Sequence, residues 1–248
     1  MRLTVIGCAG SFPGPESPAS CYLVEAEGFR LLLDLGNGAL GALQRYVGLF
    51  EPDAVFLSHL HADHCIDLCA YYVARRYHPA GPAPRLPVYA PGGAADRLAR
   101  AYDLPLDPGM RREFAFRTLL PGRTEIGPFT AVLERVNHPV ETFGIRLEHG
   151  GRALAYSGDT GPSENLVTLA RGADLLLAEA SFLDEPNLPT DLHLTGREAG
   201  EHAAAAMVDS LVLTHLVPWN DPVRLRTEAA TAFPGKLELA QAGAAYEL

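Results

Sequence analysis

From position 58 to position 64 the chain reads Ser-His-Leu-His-Ala-Asp-His. Three imidazoles and one carboxylate, His59, His61, Asp63 and His64, fall within six residues. These are the side chains that hold divalent transition metals. The apolar run Ala54–Leu57 leads directly into them, which sets them at the carboxyl end of a strand, on the turn into a helix. In open α/β sheets that edge is where ligands bind. On such a turn His59 and His61 can aim at one ion, and Asp63 and His64 at a neighbouring one. Three further residues recur in the same context, just past an apolar strand: His138 after FTAVLERVN, Asp159 after RALAYSG and His215 after SLVLT. A lone histidine there is ordinarily a satisfied surface residue. Together the seven residues are five His and two Asp, a set suited to two metals. An aspartate is the natural bridge, because each of its oxygens can bind one ion. Two divalent ions bring the pKa of bound water to about 7, so hydroxide is available for hydrolysis near neutral pH.

A second pair of strings lies downstream: Ala178-Glu179-Ala180-Ser181-Phe182, then Leu192-His193-Leu194-Thr195-Gly196-Arg197-Glu198. Thr195 with Glu198 three residues on reads as a capping box, which puts His193 immediately before a helix. Arg75, Arg76 and Tyr77 close the helix that follows the metal turn. Cations there favour the helix carboxyl end, and they could also meet a phosphate. Gly7-Cys8-Ala9-Gly10-Ser11 lacks the GxxxxGK[ST] pattern of a phosphate loop and reads as a strand-to-loop turn near the site. His78, His149 and His202 show no partner pattern and are taken as surface residues.

The elements that must position these residues are short and alternate. RLTVIGC, CYLVEAE, RLLLDLG, DAVFLSH and PVYAP read as strands in the first half. FTAVLERVNH, TFGIRLEH, RALAYSGD, ADLLLAEAS, DSLVLTH and KLELAQ do so in the second. GALGALQRYVG, CIDLCAYYVARRY, ENLVTLARG, TGREAGEHAAAAMV and VRLRTEAATAF carry helical spacing. Each half opens on a run of adjacent strands. That suggests two mixed sheets packed face to face with helices on the outer faces. The Pro- and Gly-rich stretches at 79–93 and 105–109 read as connecting loops.

With 248 residues the chain is read as one domain, 1–248. A hydrophobic fraction of 48% with 20% charged residues excludes wholesale disorder. The net charge of −10 gives a polyanionic partner no help from the overall field, so a phosphate would have to be handled locally. The first ten residues read as a strand rather than a signal peptide, and no run approaches 18 apolar residues. Four cysteines without a signal point to reduced thiols in the cytoplasm. Cys65 and Cys69, four apart on a helix, read as small core residues.

The HxHxDH turn with His138, Asp159 and His215 resembles the metallo-β-lactamase superfamily of metal-dependent hydrolases, over nearly the whole chain. The resemblance implies an αββα sandwich with a dinuclear site at one edge. By that likeness one metal takes His59, His61 and His138, the second takes Asp63, His64 and His215, and Asp159 bridges. Many true β-lactamases have Cys in place of Asp159, so Asp here points toward esters, phosphodiesters or di-iron redox chemistry. The Glu179 and His193 strings resemble the phosphodiesterase branch, which includes the tRNA 3′-end nucleases. There the histidine reaches the scissile phosphate and the acid supports it, although Leu194 stands where those nucleases usually have Ser. The nucleases carry a tRNA-gripping arm between the third metal histidine and the bridging aspartate. Here His138 and Asp159 are 21 residues apart and two strands fill the interval.

A group of actinobacterial atypical cyclic-nucleotide phosphodiesterases is also similar. The shared strings are Gly14–Ser20, Gly41–Arg45, Leu57–Leu68, Arg75–Pro79, Leu154–Gly161, Glu179–Ser181, Asp191–Gly200 and Leu211–His215. What these likenesses imply is a phosphodiesterase of 3′,5′-cyclic nucleotides, cyclic AMP above all. It would use two divalent ions, zinc first, with manganese or iron as substitutes. Asp63 would orient the nucleophile, His193 would serve the leaving oxygen, and Glu179 would keep His193 protonated. The expected partner is a small phosphodiester rather than nucleic acid or membrane, with room for a homodimer. A ribonuclease Z-like nuclease shares the whole site. A lactone, thioester or carboxylic-ester hydrolase shares the metals but has no need of the His193 string. A metal scaffold or nucleotide sensor would carry a broken ligand set, and none of the seven positions is broken.

Overall fold

A computed structural model describes residues 1–248. The first half runs β1 (Arg2–Gly7), β2 (Cys21–Ala26), β3 (Phe29–Leu33), α1 (Ala39–Leu43), β4 (Ala54–Phe56), α2 (Ala62–Cys65), α3 (Asp67–Arg76), β5 (Leu86–Ala90), α4 (Ala94–Ala101) and β6 (Phe114–Thr118). The second half runs β7 (Gly122–Ile126), β8 (Phe129–Arg135), β9 (Phe143–His149), β10 (Arg152–Tyr156), α5 (Glu164–Ala170), β11 (Leu175–Glu179), α6 (Gly196–Ala206), β12 (Ser210–Thr214), α7 (Pro222–Ala232), β13 (Lys236–Leu239) and β14 (Ala245–Glu247). Two seven-stranded sheets result, ordered β14-β1-β2-β3-β4-β5-β6 and β13-β12-β11-β10-β9-β8-β7. Both are mixed. β3 to β6 run parallel, as do β10 to β13, and the remaining pairs are antiparallel. This is the expected αββα sandwich.

Period-two alternation explains why the strands read as unbroken apolar runs. In β2, Tyr22 and Val24 face the layer between the sheets, while Cys21 and Leu23 face the layer under α1, α3 and α4. In β11, Leu175 and Leu177 join the central layer and Leu176 and Ala178 the layer under α5, α6 and α7. Three apolar layers thus fill a four-layer molecule. Small residues let the helices of the second half come close. Ala199 and Ala203 on α6 and Ala229 on α7 are fully buried, and a Cβ on Gly200 would lie 2.6 Å from the Ala229 carbonyl oxygen.

Several elements depart from the sequence reading. GALGALQRYVG is helical only over Ala39–Leu43 before it turns. The Pro-rich loop at 79–93 contains β5 as expected, but α4 follows it at once with Ala94, Ala95, Leu98 and Ala99 buried. β6, β7 and β14 have no counterpart in the reading. β7, with sequence GRTEI, buries only its last residue, so it shows no apolar pattern and forms by pairing with β8. The capping box is present: the Glu198 amide donates to Thr195 Oγ1 at 3.1 Å, and Glu198 Oε2 accepts from the Thr195 amide at 2.9 Å. Cys65 and Cys69 are free thiols in the core under α3, as read. No helix is long and apolar enough to cross a membrane.

Candidate metal centre

The seven predicted ligands converge at one edge of the sandwich, although they come from both sheets. His59, His61, Asp63 and His64 leave the end of β4, His138 the end of β8, Asp159 the end of β10 and His215 the end of β12. The donor atoms form two groups, His59, His61, His138 and Asp159 in one and Asp63, His64, Asp159 and His215 in the other. Within each group they lie no more than 4.8 Å apart. Asp159 belongs to both. The Phe143 amide donates to the Ser58 carbonyl at 2.9 Å, which stitches the two sheet edges together beneath the cluster.

Close backbone approach makes the convergence feasible. A Cβ on Gly36 would lie 1.9 Å from the Asp63 carbonyl oxygen, and one on Gly10 would lie 2.3 Å from that of His215. Only glycine fits at either place. His215 itself has φ 55°, a left-handed conformation that non-glycine residues seldom adopt. Such conformations persist where surrounding structure over-determines them. Here the Leu216 amide donates to the Cys8 carbonyl at 2.8 Å and the Gly10 amide to the Leu216 carbonyl at 3.0 Å.

Most of these rings are oriented by an acceptor behind them. His64 Nδ1 donates to Asp34 Oδ2 at 2.8 Å and His138 Nδ1 to the Leu192 carbonyl at 2.8 Å. Ser58 Oγ, already donating to Asp34 Oδ2, accepts from His59 Nδ1 at 3.0 Å. Ser181 Oγ, donating to the His215 carbonyl, accepts from His215 Nδ1 at 2.6 Å. With the proton on Nδ1, a neutral imidazole presents a bare lone pair at Nε2. The ring nitrogens left over converge: His59 Nε2 is 3.0 Å from His61 Nδ1, His61 Nδ1 is 3.3 Å from His138 Nε2, and His64 Nε2 is 3.2 Å from His215 Nε2, which also accepts from the Ser11 amide at 3.2 Å. Asp159 Oδ1 is buried without a hydrogen-bond partner, 3.2 Å from His64 Nε2. Convergent lone pairs and an orphaned buried carboxylate oxygen are what a divalent cation satisfies. The residues fit the two metal ions.

Electrostatics agree. Burial, helped by the neighbouring histidines, lowers the pKa of His59, His61 and His138, which favours the neutral, ligating form. Burial would lower His64 too, but Asp159 and Asp34 on either side pull it well above the usual histidine range. Those carboxylates call for positive charge on this side, whether a proton or a metal supplies it. Burial would raise Asp159, yet His215, His64 and His59 hold it well below the ordinary carboxylate range.

Glu179 and His193 meet as expected. Glu179, at the end of β11, accepts from the Thr160 amide at 2.9 Å, the Ser181 amide at 3.0 Å and His193 Nδ1 at 2.8 Å. Burial would depress His193, and Glu179 outweighs it, so the ring is pushed up to about 9. It lies beside the cluster, 5.4 Å between centroids from His215 and 5.7 Å from His138.

Arg75 and Arg76 do not join the site. Arg75 is buried and donates to Tyr71 Oη and the Pro84 carbonyl, while Arg76 pairs with Glu113 at 2.8 Å. His202 and His149 are half-buried rather than surface residues. His202 Nε2 accepts from the Ser163 amide at 2.9 Å where α5 begins, and His149 Nδ1 donates to the Pro128 carbonyl at 3.2 Å. Asp34 is the residue the sequence reading missed. It is fully buried, has φ 59°, and accepts from the Ser58 amide and hydroxyl, from His64 and from Tyr156 Oη at 2.6 Å. The signal was there, since Asp34 follows the apolar run RLLL just as the ligands follow theirs.

A His/Asp cluster at the edge of an αββα sandwich defines a metal-dependent hydrolase. The chain belongs to the metallo-β-lactamase superfamily: the family model described as beta-lactamase superfamily domain matches residues 30–216. An uncharacterized protein of Mycobacterium tuberculosis is 42% identical over 255 residues, spanning 100% of this chain and 92% of that one. A ribonuclease Z of Mycolicibacterium gilvum is 31% identical over 268 residues, 96% of this chain and 93% of the other. The crystal structure of the metallo-β-lactamase fold protein YhfI from Bacillus subtilis superposes with a TM-score of 0.89 at 29% identity, covering 99% of each chain.

Proposed function

We propose that this hydrolase is a dinuclear phosphodiesterase of small phosphodiesters, with 3′,5′-cyclic nucleotides, cyclic AMP above all, as its substrates. His59, His61 and His138 would hold one ion, Asp63, His64 and His215 the other, and Asp159 both. Zinc suits this donor set, with manganese or iron as substitutes. When bound, the ions supply charge to offset the phosphate and acidify a water to a pKa of about 7. Asp63, whose Oδ2 lies 3.0 Å from His215 Nε2, orients the attacking water. His193, kept protonated by Glu179, donates to the leaving oxygen or to the pentavalent oxyanion. The observation that carries the reading is this Glu179–His193 pair at 2.8 Å, an acid in addition to the seven ligands. A lactone hydrolase has no need of it.

Small substrates are favoured by what separates His138 from Asp159. β9 and β10 form a hairpin closed at Gly150-Gly151, with His149 paired to Arg152, so no arm protrudes there. The net charge of −10 likewise disfavours a long phosphate backbone. The four buried free thiols support a cytoplasmic setting. A ribonuclease Z-like endonuclease is the second reading, favoured by the 31% identity with an enzyme of that name.

The metal-loaded protein should turn over cyclic AMP and leave pre-tRNA 3′ ends intact. Cleavage of pre-tRNA without cyclic AMP hydrolysis would install the second reading, and activity on a lactone alone would remove both. His193→Ala should retain metal and fold yet lose about 10²–10⁴-fold in turnover. The loss should shrink for bis-p-nitrophenyl phosphate, whose leaving anion needs little protonation. Near-normal turnover of cyclic AMP by this variant would reduce His193 to a helix-start residue.

A further inference from the structure

Trp219 is the only tryptophan of the chain, and it is 76% exposed. Its ring packs on Phe12 with 4.9 Å between centroids and 42° between planes. Phe12 is half-buried, so the indole is the ring of the two that faces solvent, and exposed apolar surface that is continuous marks binding sites where scattered single side chains do not. The other large exposed aromatics, Tyr46, Phe50, Tyr77 and Tyr102, sit on or beside α1, α3 and α4. This pair instead belongs to the two loops that flank His215. Phe12 follows Ser11, whose amide lies 3.2 Å from His215 Nε2. Trp219 lies four residues past His215, in a turn held by the Asn220 amide donating to the Val217 carbonyl at 2.9 Å.

Both loops are fastened to the site. Asn220 Nδ2 donates to the Ser181 carbonyl at 2.8 Å, and the Ser181 hydroxyl orients His215. On the other strand of the rim, Ala9 bridges Leu216. The loops that carry the aromatic pair are therefore anchored to residues of the cluster and to the group that orients His215. The same anchor residues connect to His193. His193 lies 5.4 Å from His215 between ring centroids, and Phe182 packs on His193 at 5.2 Å, one residue from the Ser181 carbonyl that anchors the Trp219 turn.

Resting on the phosphodiesterase reading above, we infer that Phe12 and Trp219 form the base-recognition surface of the site, on which the purine of a nucleotide stacks. The phosphate sits at the cluster, the sugar oxygen that leaves faces His193, and the base extends to the aromatic rim. A flat, amphipathic indole favours any base through its π face. Selectivity then lies between nucleotides and phosphodiesters that lack a base.

Two measurements on the metal-loaded protein test this. In steady-state kinetics Trp219→Ala should raise KM for cyclic AMP by about 10- to 100-fold, the usual worth of a stacked base, and Trp219→Phe should recover most of it. The same substitution should cost ribose 3′,5′-cyclic phosphate little, since that substrate has nothing to stack. In fluorescence, the single tryptophan should be quenched saturably by AMP and not by ribose 5-phosphate. Cyclic AMP turnover that survives Trp219→Ala with unchanged KM, together with unquenched emission, overturns the inference and leaves the phosphodiesterase standing. Saturable quenching by AMP in a protein that hydrolyses no cyclic nucleotide keeps the surface and removes the proposed reaction. Equal losses on the two cyclic substrates, or a change in sedimentation with no change in KM, overturn it too, the latter assigning the rim to a second copy of the chain.

Discussion

The two donor groups that share Asp159 are built on different electrostatic plans. One is three imidazoles, His59, His61 and His138, all pushed toward neutrality first by burial and then by neighbouring histidines, His193 in the case of His138. Its only carboxylate is the shared one. The other sets His64 and His215 between Asp63 and Asp159, with Asp34 behind His64 at 2.8 Å. Charge is concentrated on that second side. His61 and His138 are half-buried, whereas His64 and His215 are buried. The comparison teaches that a nearly symmetric pair of ligand sets need not hold two equal ions. The second group provides more negative charge in a less solvated place, so it should retain its ion longer.

The sharpest way to break this picture is at the shared residue. Asp159→Ala should lose most metal from both groups and bring turnover to background, with elemental analysis giving fewer than two ions per chain after saturation. Two ions retained would show that the groups are independent. The next effect should come from Asp34→Ala. It strands the Ser58 amide, Tyr156 Oη and His64 Nδ1 in the core, so unfolding in urea should show a loss of about 3–5 kcal/mol. Metal affinity should fall about 10–100-fold, and more in the second group, where Asp34 touches His64 directly, than in the first, which it reaches only through Ser58 and His59. A uniform loss from both groups would assign Asp34 to general packing. Smallest is the difference between ions in the intact protein. Graded chelation should remove one ion per chain before the other, and His61→Ala should make the first departure easier while leaving the second unchanged. Simultaneous loss of both ions would refute the asymmetry.

The metal turn was legible because four side chains of ligand type fall within six residues of one β-to-α turn; the strands before Asp159 and His215 were legible because burial on both faces leaves unbroken apolar runs, and the one before His138 because its burial alternates. β7 escaped notice because an edge strand with four exposed residues carries no such run. α4 escaped because it follows directly on a Pro- and Gly-rich stretch. Asp34 escaped for a different reason. Its meaning comes from His64, Ser58 and Tyr156, which are 30, 24 and 122 residues away in sequence. Trp219 carries no local signal of its distance from Phe12.

Residue types, alternation and strand-end spacing determined by themselves that the chain makes two mixed sheets and offers seven side chains of metal-ligating type at strand ends. These are local properties, set by period-two burial and by the chemistry of imidazole and carboxylate. That the seven form two groups with Asp159 in common and that Glu179 grips His193 was implied by family resemblance and is realised by the tertiary structure, which alone decided that Arg75 and Arg76 turn away to Pro84 and Glu113. Those outcomes depend on how the two sheet edges are stitched together, as at Phe143 and Ser58, and on glycines that admit the Asp63 and His215 backbones. Contacts between residues more than a hundred positions apart follow from packing, which no window of sequence contains.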